Sequence, residues 1–188
     1  MGRIRKVLGR PWAIGVLVVA LAGAGFGLYW FQPWKLWQDE TVQEALPEVV
    51  GKSAPPAAPP SESPSAFASS GPDTLASGEL ISHEHATSGT VKLVRLTDGS
   101  HIVRLENLET SNGPDLRVWL TDAPVKEGTA GWRVFDDGEY VSLGKLKGNK
   151  GSQNYVVPGD VDLSRYSSVS IWCDRFDVSF GAAELARI

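Results

Sequence analysis

Few side chains in this sequence suit redox, nucleophilic or metal chemistry. Cys173 is the only cysteine, His83, His85 and His101 are the only histidines, and Met1 is the only methionine. One cysteine cannot close an internal disulfide, and CxxC redox motifs, cysteine-rich zinc sites and the CxxCH haem-attachment run are excluded by count. Cys173 itself is open to two readings. Packed among apolar side chains, a thiol behaves as a small hydrophobe. As an approachable thiolate it is a redox centre or a metal ligand. Arg175 stands two residues on, on the same side if the strand continues, where its charge would favour the thiolate. His83 and His85 are also two apart and share a face if they lie on a strand. Together with Cys173 they form a donor set for haem iron, copper or zinc; without it they are two solvated polar residues. His101 begins a strand and reads as a surface residue. A blue-copper centre would want a methionine and a histidine shortly after the cysteine, and neither follows Cys173. There is no GxSxG, P-loop or HExxH run to support a hydrolase or nucleotide enzyme. The paired acids Asp136 and Asp137 sit beside Gly138 and read as a turn.

The elements that must position these residues are short strands. Residues 90–96 (TVKLVRL) and 101–106 (HIVRLE) flank Thr97-Asp98-Gly99-Ser100, a hairpin signal. Residues 115–121 alternate, with Leu116, Val118 and Leu120 on one face. Residues 140–146 and 152–157 read as a second pair around Gly148-Asn149-Lys150-Gly151. Residues 168–174 place Val169, Ile171 and Cys173 on one face, and residues 177–180 follow with Val178 and Phe180 together. Trp119 and Trp172 fall on the opposite faces of their strands, where they pack a second layer or form a binding surface. Only residues 162–166 hint at a helical turn. The pattern predicts an all-β sandwich over residues 74–188.

Ahead of it, residues 12–31 (WAIGVLVVALAGAGFGLYWF) run 20 residues without a charge. As a helix they would span about 30 Å, the thickness of a bilayer core. Aromatic residues crowd the far end, and Arg3, Arg5, Lys6 and Arg10 precede the span. These features predict a single-pass cell-membrane anchor, with residues 1–11 as a cytoplasmic tail and the remainder extracytoplasmic. Met1 is then across the membrane from any haem site. The rival reading is a signal peptide cleaved near Ala22-Gly23-Ala24. Gly23 and Gly27 have the spacing that lets two spanning helices approach, which suggests a homodimer. Residues 32–73 read as a linker, rich in proline, alanine and serine from Leu46 onward, and that richer part could reach on the order of 80 Å if extended. Residues 36–188 carry 13 basic residues and all 22 acidic ones, a net of −9. Such a charge argues against nucleic acid as a partner and leaves an envelope protein or redox partner open.

Three ordered segments resemble one known family. Asn112-Gly113-Pro114-Asp115-Leu116-Arg117-Val118-Trp119-Leu120 is similar to the NGPDLxVxL signature of the DM-thirteen domain, a DOMON-associated family labelled "electron transfer". Residues 143–155 resemble its LGxLKGNxGxQNY segment, and Ile171-Trp172-Cys173-Asp174-Arg175-Phe176 its terminal WCxxF segment. His85 sits where the family usually has its early histidine. The resemblance covers about residues 74–184. It implies a redox role centred on Cys173, with His85 as a candidate partner and haem or a metal as possible cofactors. The alternative is a binding or scaffolding module in which Cys173 is only packed.

Overall fold

A computed structural model describes residues 11–47 and 71–188. The expected cytoplasmic tail, except its last residue, and most of the expected linker lie outside the described residues. Pro11–Phe31 forms one helix, α1, apolar along its length, with large side chains such as Trp12, Val19 and Phe26 exposed. By length and composition it is able to cross a membrane. Proline lacks the N–H that would continue the helix, and at Pro33 the chain turns into a short 3-10 segment, Pro33–Trp37, after Gln32 adopts a left-handed φ of 44°.

Eleven strands follow, in two sheets. The first has the order β1 (Thr41–Gln43), β8 (Lys150–Val157), β5 (His101–Glu109), β4 (Ser88–Arg95), β2 (Asp73–Glu79), β11 (Ala186–Arg187). The second has the order β3 (Ile81–Ser82), β10 (Val178–Glu184), β9 (Ser168–Cys173), β6 (Leu116–Thr121), β7 (Tyr140–Lys145). Leu116, Val118, Leu120, Val169, Ile171, Val178 and Phe180 from the second sheet pack against Val91, Leu93, Val103 and Leu105 from the first, all of them buried. This is the sandwich the alternation predicts. The β4–β5 hairpin also forms, with Arg95 opposite His101 and the Leu96 N–H donating to the Ser100 carbonyl. Trp119 and Trp172 stack at 4.9 Å on the outer face of the second sheet, beside Phe135 and under Tyr140. Both are buried packing residues.

The expected pairing of residues 140–146 with 152–157 does not occur. β7 pairs with β6 in one sheet, and β8 pairs with β5 and β1 in the other. The Gly-Asn-Lys-Gly run crosses between layers instead of turning back. Buried Gln153 holds the crossing: its Oε1 accepts from the Lys147 and Gly148 N–H groups, and its Nε2 donates to the Gly148 carbonyl at 2.6 Å.

β1 lies within the stretch expected to be linker, yet it is a parallel edge strand of the domain. Its backbone runs so close to Gly148 and Gly151 that a Cβ at either would collide with the Glu40 or Val42 carbonyl. Asn149 accepts from the Glu40 N–H at 2.7 Å and donates to Asp39 and to the Thr110 carbonyl. Asn154 donates to the Ala45 carbonyl, Arg104 donates to the Glu44 carbonyl, and Lys147 and Lys150 pair with Glu44 and Asp39.

Candidate functional site

Cys173 ends β9, and its side chain is completely covered. Its neighbours in sequence and space come from two of the three resembling segments. The strand stops there because residues 174–177 turn back into β10, with the Phe176 N–H donating to the Cys173 carbonyl at 3.2 Å. The 112–115 run packs alongside, with the Asp174 N–H donating to the Asp115 carbonyl at 3.0 Å. Burial pushes the thiol pKa up, and the backbone N–H groups of Arg175, Phe176 and Asp115 oppose it. Hydrogen bonds to the charged form of an acid favour that form. Burial wins, and the thiol pKa stands above its ordinary value.

Arg175 acts on the sulfur through its backbone and not through its charge. Its guanidinium turns to the end of α1, donating to the Trp30 carbonyl at 2.8 Å and lying 5.2 Å from the centroid of the Trp30 ring. The last carbonyls of a helix lack partners within it, and a cation there also meets the negative end of the helix dipole. The two-residue offset that suggests a shared side with Cys173 fails because the strand ends at Cys173.

The two histidines part company for a similar reason. Residues 83–85 form a bend and not a strand, so period-2 geometry does not apply. The His83 ring enters the outer layer, where Nε2 donates to the Lys126 carbonyl at 3.1 Å and Nδ1 meets Ser179 Oγ at 2.8 Å. A carbonyl only accepts, so Nε2 carries the proton in the neutral ring. The His85 ring lies on Phe180 with centroids 3.9 Å apart. Burial lowers both histidine pKa values, opposed for His83 by the Lys126 carbonyl and for His85 by the charge of Glu84. Glu84 also acts on Cys173, raising its pKa further. Its charge therefore reaches both candidate groups. His101 begins β5 as expected and is partly exposed.

Beside this cluster lies a pocket of about 310 Å³. Phe31 and Pro33 supply one wall, and His85, Pro114, Phe176 and Phe180 the other. Among the described residues, no three His, Cys, Asp or Glu side chains gather as a metal site. A metal or haem iron on Cys173 would require the covered sulfur to be opened.

Sequence reasoning missed the amide of Asp115, the charge of Glu84, and the role of Gln153, Asn149 and Asn154 as a polar framework. The last group carried a signal: amide side chains inside an otherwise strand-like run need internal partners.

A family model described as Electron transfer DM13 matches residues 79–185, more than half of the chain. No curated protein matches the chain, and no solved structure does.

Proposed function

The chain belongs to the Electron transfer DM13 family, and from that premise we propose that it is a membrane-anchored redox accessory in which Cys173 is the working group and His85 its neighbour. The observation that supports this reading is the family match, which takes in Cys173 at the end of β9, where the backbone N–H groups of Arg175, Phe176 and Asp115 favour the charged form of its thiol. Complete burial bars a bulky thiol reagent or a second protein's disulfide. A one-electron step needs no open path to the sulfur: the oxidised dye would take an electron from it as the thiol proton leaves, and the reductant would return the electron as the proton comes back. The test is electron transfer from a chemical reductant to a one-electron dye by the purified full chain, wild type against Cys173→Ser. Loss of transfer in the variant is expected; equal rates would end the redox reading.

A second reading rests on the same covered side chain and raised thiol pKa. Here the domain is a binding or scaffolding module of the envelope, and Cys173 is packing. Full activity of Cys173→Ala in whatever assembly the protein serves, with only its stability reduced, would favour it.

The anchor is part of the proposal. α1 spans the cell membrane, the N-terminus is cytoplasmic, and residues from Gln32 onward are extracytoplasmic. Support comes from the exposed apolar helix and from the basic residues placed before it. Gly23 and Gly27 have open space beside them, as a homodimer contact between two such helices would need.

A further inference from the structure

A pocket lies between the end of α1 and the domain. We propose that it receives the ring of a quinone carried in the bilayer, leaving the apolar tail of that molecule in the membrane; this rests on the membrane-anchored redox reading above.

The place of the pocket argues for a bilayer-borne ligand. One wall is Phe31, the last residue of the apolar helix, and Pro33 in the turn that follows. Tyr29, Trp30, Trp34 and Trp37 surround the same level, as aromatic residues do where a spanning helix meets headgroups. A molecule dissolved in the membrane reaches that depth without crossing water. The lining argues for a flat ring. Phe31 and Phe176 stack at 5.7 Å and close the space on one side, and the His85 ring lies on Phe180, so the space beside these two pairs is lined by aromatic rings. At about 310 Å³ the space is at the small end of small-molecule sites.

The polar groups on the lining argue for carbonyl oxygens. Lys35 offers an ammonium and His85 a ring N–H, and among the described residues neither side chain has a hydrogen-bond or ion-pair partner. A quinone ring carries acceptors only, and a hydrocarbon chain carries none. Glu84, also on the lining, accepts from a hydroxyl when the ring is a quinol. Finally, Phe180 belongs both to this wall and to the apolar core that holds Cys173, and Phe176 packs against that core, so the ring would rest against the core of which the sulfur is part.

The test uses the full chain in lipid nanodiscs, titrated with a decyl-tailed benzoquinone and read by quenching of tryptophan fluorescence against empty nanodiscs. Saturable quenching is expected. His85→Ala should weaken it about fivefold, the effect of one lost hydrogen bond, with an unchanged far-ultraviolet circular dichroism spectrum. Should that variant misfold, Phe31→Ala, altered on the helix side and outside the domain core, should weaken binding in its place. Quenching reports occupancy without any electron transfer, so the pocket stands or falls separately from the thiol. Linear, non-saturating quenching would overturn the proposal. So would equal competition by decylbenzene, which would make the space a lipid-chain pocket.

Discussion

At Cys173, burial raises the thiol pKa against the pull of three N–H groups. Two outcomes follow at this position. Alkylation of the native protein near neutral pH should be slow and should rise to the rate of a free thiol only in denaturant, as measured by mass spectrometry. Cys173→Ala should cost about 1–2 kcal/mol in urea unfolding, since it empties a fully covered site. The titrations also shape stability against pH. Unfolded, the thiol ionises near 9.0, but the folded thiol resists. Above that value the unfolded state holds fewer protons, so stability falls as pH rises. His83 and His85 act on the other side: their folded pKa values lie below the ordinary value of 6.5. As pH drops through 6.5 the unfolded chain takes up protons that the folded rings refuse, and stability falls again. Denaturation midpoints should therefore peak between these two values. His83→Gln should flatten the acid side, and an unchanged acid limb in that variant would contradict the assignment. The face shared by Val169, Ile171 and Cys173 was legible because it needs only strand alternation. The divergence of His83 from His85 was not, because a bend leaves no period to read.

Strands were legible wherever apolar alternation ran for six residues or more, as in β4, β6 and β9. Their partners were harder to read. β7 and β8 are near in sequence, with Gly148 between them and Gly151 just inside β8, which reads as a hairpin, but Gln153 instead locks a crossover that only tertiary contacts define. β1 was illegible: three residues, Thr-Val-Gln, have no period, and what holds them is supplied by residues more than 100 positions away. Gly151 offers the sharpest test of this element. Its φ of 99° is one that side chains rarely adopt, and a Cβ would meet the Val42 carbonyl. Gly151→Ala should cost about 1–3 kcal/mol and release β1, seen as lost hydrogen-exchange protection at the Glu44 amide, which donates to the Ser152 carbonyl. Protection equal to wild type would show that β1 is held in some other way.

For the molecule as a whole, the long apolar helix and the sandwich were both visible in composition and pattern, but their connection was not. Proline-rich residues beyond Leu46 suggest a tether whose reach sets the height of the domain. The strands on either side of that stretch, β1 and β2, belong to one sheet. The domain is instead placed against the end of α1 by the few residues between Phe31 and Thr41, together with the grip of Arg175 on the end of α1. If α1 spans the membrane as proposed, protease added outside intact cells should degrade residues 40–188 or release them. Protection of that region would reverse the orientation.

The grip on β1 also bears on where the polypeptide tolerates being cut. A fragment trimmed to residues 79–185 loses β1, nearly all of β2 and β11. Without β1, β8 becomes a bare edge whose glycines leave its backbone open to any extended chain. Unpaired edges of that kind recruit one another. Such a fragment should elute from a sizing column as aggregates, whereas one beginning at Gln38 should run as a monomer. Proteolytic shedding between β1 and β2 would have the same effect in the cell, turning a solitary domain into one that seeks a strand.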